Sequence, residues 1–406
     1  MSDERTAGVF LGDRRVGTLG YLDGNTWFDY TDRAPDHPVL GQGFEADPHK
    51  RRTASGSVPE WFANLLPERG SGLRRIIGHE LGMARPHDFR VICYIGEDLP
   101  GAVRVVADAD IGELSVPGED SDCTHDHPVR FSLAGVQAKF SMRWEEKGLV
   151  LPMTGEGGNW IVKLPDRRFA DVPRNEHAML TWARLAGIEV PQTRLVPTAE
   201  LHGLPDGVAA EGETALAVRR FDRLDGGRVH QEDLAQVREV AVDTKYDNAS
   251  YSGIARVVAA LCPQDLDDYL RRLAAMVVMG NLDAHLKNWT LRYPDGRSAR
   301  LSPAYDLVSV SAYADTDASF RDDRLAFAVN GGQVARTVTL RHFGHLAQRA
   351  RLAPERVRDV VAETVTALTD TWPQVKREVP VPGFVATHID ARLESLPLIR
   401  DVRFGN

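Results

Sequence analysis

At 406 residues the chain is too long for one compact core and calls for two or three domains, while a formal charge of -9 argues against it gripping a nucleic-acid backbone by itself. Its 43% apolar and 26% charged residues are those of an ordinary globular protein, and with no apolar run of membrane-spanning length and no leader pattern at Met1-Ser2-Asp3-Glu4-Arg5 it reads as cytoplasmic, with no membrane partner. Cys93, Cys123 and Cys262 stand too far apart for a disulfide framework or a zinc spacing.

Residues 1–107 read as a separate small α/β domain. Val9-Phe10-Leu11 and Val16-Gly17-Thr18-Leu19 flank Gly12-Asp13-Arg14-Arg15 in a hairpin pattern, and Trp27 to Tyr30 continues the strand signal. Glu60 to Leu66 and Leu73 to Leu81 read as helices broken at Pro67 and Gly70. No catalytic constellation is visible here: His79 and His87 are single histidines, and Arg51-Arg52 and Arg74-Arg75 read as solvated surface or a local basic face. Residues 108–130 are acidic and turn-rich, so the cluster His125-Asp126-His127 with Cys123 reads as part of a flexible linker rather than a metal site.

Residues 131–222 read as a sheet-based lobe. Phe131 to Lys139 combines small residues, one Gly and a terminal Lys, which lets backbone N–H groups approach phosphate oxygens. Phe140 to Trp144, Leu149 to Met153 and Trp160 to Leu164 are strand-like and expected to be antiparallel. Lys163 is a cation among Trp, Ile, Val and Leu, and a buried charge needs a partner. Glu176, on the helix that begins near Pro173, offers one, as in the ion pair of a kinase small lobe; an edge-strand Lys facing solvent is the plainer alternative. The strand Thr214 to Val218 then runs into Arg219-Arg220-Phe221-Asp222-Arg223, where a linker between two kinase lobes would fall.

Residues 223–406 read as a mainly helical lobe. A helix opening at Cys262-Pro263 carries Leu266, Tyr269, Leu270, Leu273 and Val277 at helical spacing and stops at Gly280. The loop Asn281-Leu282-Asp283-Ala284-His285-Leu286-Lys287-Asn288 follows, with the Asp-x4-Asn spacing of a kinase catalytic loop. Taken alone, that spacing also fits a polar turn with a capping Asp. Trp289 to Tyr293 and Ala299 to Ser302 form a hairpin pattern about Pro294-Asp295-Gly296, which returns Pro303-Ala304-Tyr305-Asp306 to the neighbourhood of Asn288. Hard oxygen ligands converging there suit Mg²⁺ with nucleotide phosphates. Residues 339–376 read as helical and the segment from Val379 is ambiguous.

The order and number of these blocks resemble the HipA toxin kinases, bacterial serine/threonine protein kinases of type II toxin–antitoxin modules. The resemblance rests on Ser132 to Lys139, Ile161-Val162-Lys163-Leu164-Pro165, Asn175-Glu176, Arg220-Phe221-Asp222-Arg223, Gln231-Glu232-Asp233, Lys245-Tyr246, Gly280 to Asn288 and Pro303 to Leu307. In the amino-terminal domain Phe62 to Pro67 and Ile95 to Val103 are similar to that family's extra domain.

The resemblance implies an α+β, two-lobed protein-kinase-like fold with a small antiparallel β lobe, a mainly helical large lobe and an extra amino-terminal α/β domain. It implies ATP and Mg²⁺ as cofactors, Asp283 as proton acceptor, and Asn288 and Asp306 as metal ligands. Ala134, Gly135, Val136, Gln137, Lys139 and Lys163 would meet the phosphates, with Glu176 as the structural ion-pair partner of Lys163. His285, Lys287 and Tyr305 would line the nucleotide site, the backbone of Arg219, Arg220 and Phe221 would meet the adenine, and Ser132 would be autophosphorylated. Ala138 and Arg219 each stand where the family usually has Glu. The implied partners are an aminoacyl-tRNA synthetase substrate, the glutamyl enzyme first among them, and a HipB-like helix-turn-helix antitoxin that supplies most of the DNA contact. Alternative readings are a small-molecule kinase of the aminoglycoside type, which usually has His where Asn281 stands, and a non-catalytic kinase-like regulator in an antitoxin–DNA complex.

Overall fold

A computed structural model describes residues 4–32, 34, 36–112, 114, 139–146, 148–151, 157–204, 207–210, 212–225, 227–246 and 249–405. Among these, no helix is long and apolar enough to cross a membrane.

The amino-terminal part is a five-stranded sheet in the order Arg52–Ser55, Asn25–Tyr30, Arg14–Leu22, Arg5–Leu11, Val103–Ala107. Its first two strands form the expected hairpin, closing at Leu11 opposite Arg14. Phe28, Phe44, Phe62 and Phe89 are fully buried and Trp61 nearly so, in a core of their own. Gly96 ends the helix Asp88–Ile95 against this sheet, where a Cβ would lie 1.9 Å from the Val105 carbonyl oxygen, so only glycine fits.

The small lobe is a six-stranded sheet in the order Leu201–His202, Gly148–Val150, Lys139–Glu145, Trp160–Lys163, Thr214–Arg219, Thr193–Pro197. It is antiparallel except at one edge, where Leu201–His202 pairs in parallel with Gly148–Val150. The helix Val172–Leu185 packs against it and buries Met179, Leu180, Trp182 and Ala183. The large lobe is built on Leu266–Met279, a helix buried on nearly every side, as an interior helix must be to read apolar around its circumference. Residues 339–376 prove to be two helices, Leu340–Ala350 and Pro354–Glu378, and the ambiguous terminus forms Gly383–Ser395 and Pro397–Phe404. Trp182 and Trp372, with ring centroids 4.6 Å apart, join the two lobes behind the cleft.

The amino-terminal domain is fastened to both lobes. Asp98 accepts from Arg220 Nη1 at 2.9 Å and Arg223 Nη2 at 2.7 Å, and Asp222 accepts from the Gly101 N–H at 2.8 Å. Glu232, fully buried, accepts from the Gln42 N–H, Trp61 Nε1 and Tyr293 hydroxyl at 2.9, 3.1 and 2.5 Å. Of the arginines read as surface or basic face, Arg51 and Arg75 are exposed, whereas Arg52 and Arg74 are structural. Arg52 is buried with Glu239, Arg74 is buried with Asp88, and Arg51 pairs with Asp29. His87 is a buried helix cap accepting from the Phe89 N–H at 3.1 Å.

Glu232→Ala strands those three donors in a dry interface. Each buried donor left unsatisfied costs on the order of 1–3 kcal/mol, so urea unfolding should show a loss of at least about 3 kcal/mol or split into two transitions. A loss below about 1 kcal/mol would mean that the interface is open to water.

Candidate active site

The cleft is assembled around a buried lysine. Lys163 ends its strand pointing inward, with Glu176 Oε1 2.6 Å from its Nζ and the Asp306 carboxylate in direct contact. Lys139 lies opposite Lys163 on the neighbouring strand and places its Nζ 3.7 Å from the other Asp306 oxygen. Directly opposed like charges repel across strands, so Asp306 reconciles the two lysines as their shared anion. Burial alone would draw the Lys163 ammonium down, but Asp306 and Glu176 outweigh it and hold the group above its usual range. Burial would likewise raise Asp306, yet Lys139 and Lys163 keep its carboxyl well below the ordinary 3.8.

Asp306 itself sits at φ +53°, a left-handed conformation uncommon outside glycine and typical of functional sites. Two elements hold it there. Asn281, buried at the end of the interior helix, donates through Nδ2 to the Asp306 carbonyl at 3.0 Å and accepts from the Asp283 N–H at 3.1 Å, stapling the two loops together. The helix ends because Gly280 takes φ +68°, and Arg392 covers the freed carbonyls of Val277 and Val278 at 2.7 and 3.1 Å.

Beyond that staple the loop anchors through Leu282, Ala284 and Leu286, all buried, leaving Asp283 exposed at the mouth. Asp283 Oδ1 accepts from the Tyr246 hydroxyl at 2.5 Å. Asn288 donates through Nδ2 to Asp306 Oδ2 at 3.2 Å, while its Oδ1 is buried with no hydrogen-bond partner among the described residues. An orphaned amide oxygen beside a carboxylate is a donor set that fits a hard divalent cation. No three His, Cys, Asp or Glu side chains converge among the described residues, and a two-ligand site suits Mg²⁺, which keeps waters and takes its remaining ligands from phosphates.

The other expected residues divide into two groups. His285, Lys287, Tyr305 and Phe221 border the same cleft. Burial pulls His285 down to about 4, so it is neutral at physiological pH. Tyr305 donates to the Lys287 carbonyl at 2.7 Å and faces the Phe221 ring at 5.7 Å. Arg219 and Arg220 turn their side chains away. The Arg219 guanidinium lies over Trp160, that of Arg220 is buried against Asp98 and Asp222, and their N–H groups donate to Gln192 and Asn159 carbonyls at 2.8 and 3.0 Å. Ser132, Ala134, Gly135, Val136 and Gln137 lie outside the described residues.

The amino-terminal domain, read as carrying no chemistry, reaches the catalytic loop. Lys287 Nζ donates to the Asn64 carbonyl at 3.1 Å, and Glu68 Oε1 pairs with Lys245 at 2.8 Å, next to Tyr246. Asn64 lies in the Phe62 to Pro67 block and Tyr246 in Lys245-Tyr246, so both were visible as motif residues without a role.

A two-lobed, kinase-like cleft closed by an amino-terminal β domain is therefore the class that fold and site define. The model of the HipA N-terminal domain matches residues 7–106 and that of the HipA-like C-terminal domain matches residues 131–372; the chain belongs to the HipA family. It is 39% identical over 401 residues to a Sinorhizobium fredii protein named "Putative kinase Y4dM", covering 95% of this chain and 96% of that one. A second protein of that organism, "Putative kinase Y4mE", is 28% identical over 77% of each chain. Among solved structures, HipA in the Shewanella oneidensis complex of HipA, HipB and operator DNA superposes with a TM-score of 0.72 at 22% identity, covering 98% of this chain and 99% of that one.

Lys163→Met leaves the buried Glu176 without its counter-charge and Asp306 with Lys139 alone, and should cost about 3–5 kcal/mol in urea unfolding. Lys163→Met with Glu176→Leu should recover much of that loss without restoring nucleotide binding. Because Asp306 is depressed below 3.8, its contribution is complete above that pH and lost as acid protonates the folded carboxylate. Wild-type stability should therefore fall at acid pH with a component that an Asp306→Asn variant lacks.

Proposed function

We propose that this chain is an ATP- and Mg²⁺-dependent serine/threonine protein kinase, acting in the cytoplasm as the toxin of a HipA/HipB-like module. The observation that carries this reading is the convergence of Lys163, Glu176, Asp306 and Asn288 in one cleft, with Asp283 exposed at its mouth. Lys163 and Lys139 orient and neutralise ATP phosphates, with the loop ending at Lys139 as a phosphate cradle. Asn288 Oδ1 and Asp306 would hold Mg²⁺, which spreads the charge developing on the transferred phosphoryl group. The acceptor hydroxyl oxygen forms its bond to the γ-phosphorus as the bond to ADP breaks, and the hydroxyl proton passes to Asp283. His285, Lys287 and Tyr305 line the nucleotide pocket, with Phe221 and the backbone of Arg219 and Arg220 on the adenine side.

The acceptor assigned to this cleft is an aminoacyl-tRNA synthetase, the glutamyl enzyme first, and Ser132 is the self-acceptor whose modification switches the kinase off. A HipB-like helix-turn-helix antitoxin would hold the chain and supply most of the DNA contact. The Shewanella complex, in which HipA stands together with HipB and operator DNA, supports that assignment, as does the net charge of -9. That complex also favours a second reading, a kinase-like regulator whose work is in the antitoxin–DNA assembly.

Intact mass after incubation with ATP and Mg²⁺ separates the two. Wild type should gain one phosphate, Ser132→Ala should gain none, and Asp283→Ala should slow transfer by at least about a hundredfold, the lower end of what a general base contributes. Withholding Mg²⁺ should abolish the gain. A wild type that starts without phosphate and gains none would favour the regulator.

A further inference from the structure

Tyr246 makes a contact that the kinase reading leaves unused. Its hydroxyl donates to Asp283 Oδ1 at 2.5 Å, and its ring stands edge-on to His285 with centroids 5.1 Å apart. An O–H···O⁻ bond of about 2.5–2.7 Å is the charge-assisted kind. A hydroxyl donating to the loop aspartate is also the arrangement in which a kinase base meets its acceptor. Burial contributes little to this placement, since Tyr246 is 43% exposed.

The segment behind Tyr246 is fastened to the amino-terminal domain as well as to the large-lobe core, on which Val240 packs. Val240 accepts from Asn64 Nδ2 at 2.8 Å, Val242 packs on the amino-terminal core, and Lys245 pairs with Glu68 at 2.8 Å while lying 5.4 Å over the Tyr246 ring. Asn64 bridges this segment to the loop that carries Asp283, donating to the Val240 carbonyl and accepting from Lys287 Nζ at 3.1 Å, and the Tyr246 hydroxyl meets Asp283 beside that junction.

We propose that the Tyr246 hydroxyl occupies the acceptor-hydroxyl position over Asp283, so that Tyr246 defines the acceptor subsite and a substrate hydroxyl binds by displacing it. This rests on Asp283 being the proton acceptor of a kinase. The same displacement governs water, the smallest acceptor, which would otherwise reach the exposed base and hydrolyse ATP.

The test is ATP hydrolysis without a protein acceptor, in which water attacks the γ-phosphorus, ADP leaves and the water proton passes to Asp283. The full-length wild type, Tyr246→Phe, Asp283→Ala and the double variant are compared. Phenylalanine keeps the ring on His285 and removes only the competing hydroxyl. Tyr246→Phe should hydrolyse ATP about fivefold faster than wild type, the factor set by the net worth of one hydrogen bond. Its ATP affinity should be unchanged and the gain should vanish in the double variant. Unchanged or slower hydrolysis, against a wild type whose turnover needs Asp283, would overturn the proposal, a drop marking Tyr246 as a partner that orients the base. Weakened ATP affinity would overturn it too, by assigning Tyr246 to the nucleotide. Turnover in none of the four proteins would sink the kinase reading and this inference with it.

Discussion

A lysine buried at the end of a strand is the constraint from which this cleft is built. An isolated ammonium in the interior is strongly unfavourable, and only paired, well-placed counter-charges offset its desolvation. Lys163 takes one partner from its own lobe, Glu176, and one from the other, Asp306. The first fixes how the helix Val172–Leu185 lies on the sheet. The second ties the lobes together at the point where a metal and phosphates would meet. Asp306 can serve only from a left-handed backbone position, so Asn281 must hold that loop from behind, and Gly280 must end its helix where Asn281 can reach.

The amino-terminal domain extends this logic to a third body. Asp98 receives both Arg220 and Arg223 just after the last strand of the small lobe, which is where two lobes would hinge. A half-buried carboxylate shared by two buried guanidiniums resists that bending, because parting them leaves the guanidiniums without their counter-charge. Glu232 does the same on the large-lobe side with three neutral donors. The lobes are thus tied by a domain that also touches the loop of residues 281–288 through Asn64 and the segment bearing Tyr246 through Glu68.

Local chemistry was legible in the sequence, and long-range pairing was legible only where a charge demanded a partner. The stop at Gly280, the hairpin after Asn288 and the helix from Pro173 follow from turn residues and periodicity, which are local. Lys163 was readable because an apolar strand makes a cation anomalous, and Glu176 lay close enough in sequence to be nominated. The side chain of Arg220 was not legible, for the same reason in reverse. The reading beside the hinge concerned its backbone, and where its side chain goes is decided by Asp98, 122 residues away. Arg52 and Arg74 read as solvated because doublets of arginine usually are, and nothing nearby in sequence announces Glu239 to Arg52. Tyr246 could be recognised as a motif residue, yet its hydrogen bond to Asp283 spans 37 residues.

The net charge illustrates how little a global sum says about a site. A total of -9 argues against a broad nucleic-acid surface, but a phosphate responds to charges within about one Debye length, roughly 8–10 Å. In the cleft, Lys139 and Lys163 face the same carboxylate from adjacent strands. Lys245 lies beside the catalytic loop and Lys287 on it. These four cations stand beside the carboxylates of Asp306, Glu176, Glu68 and Asp283, so the cleft is a network of paired charges rather than a basic patch. The arrangement is stable only because each lysine already has a fixed oxygen partner, Asp306, Glu176, Glu68 or the Asn64 carbonyl. The charges of the cleft are therefore fixed in place by the fold itself, each lysine held by an oxygen that another element positions.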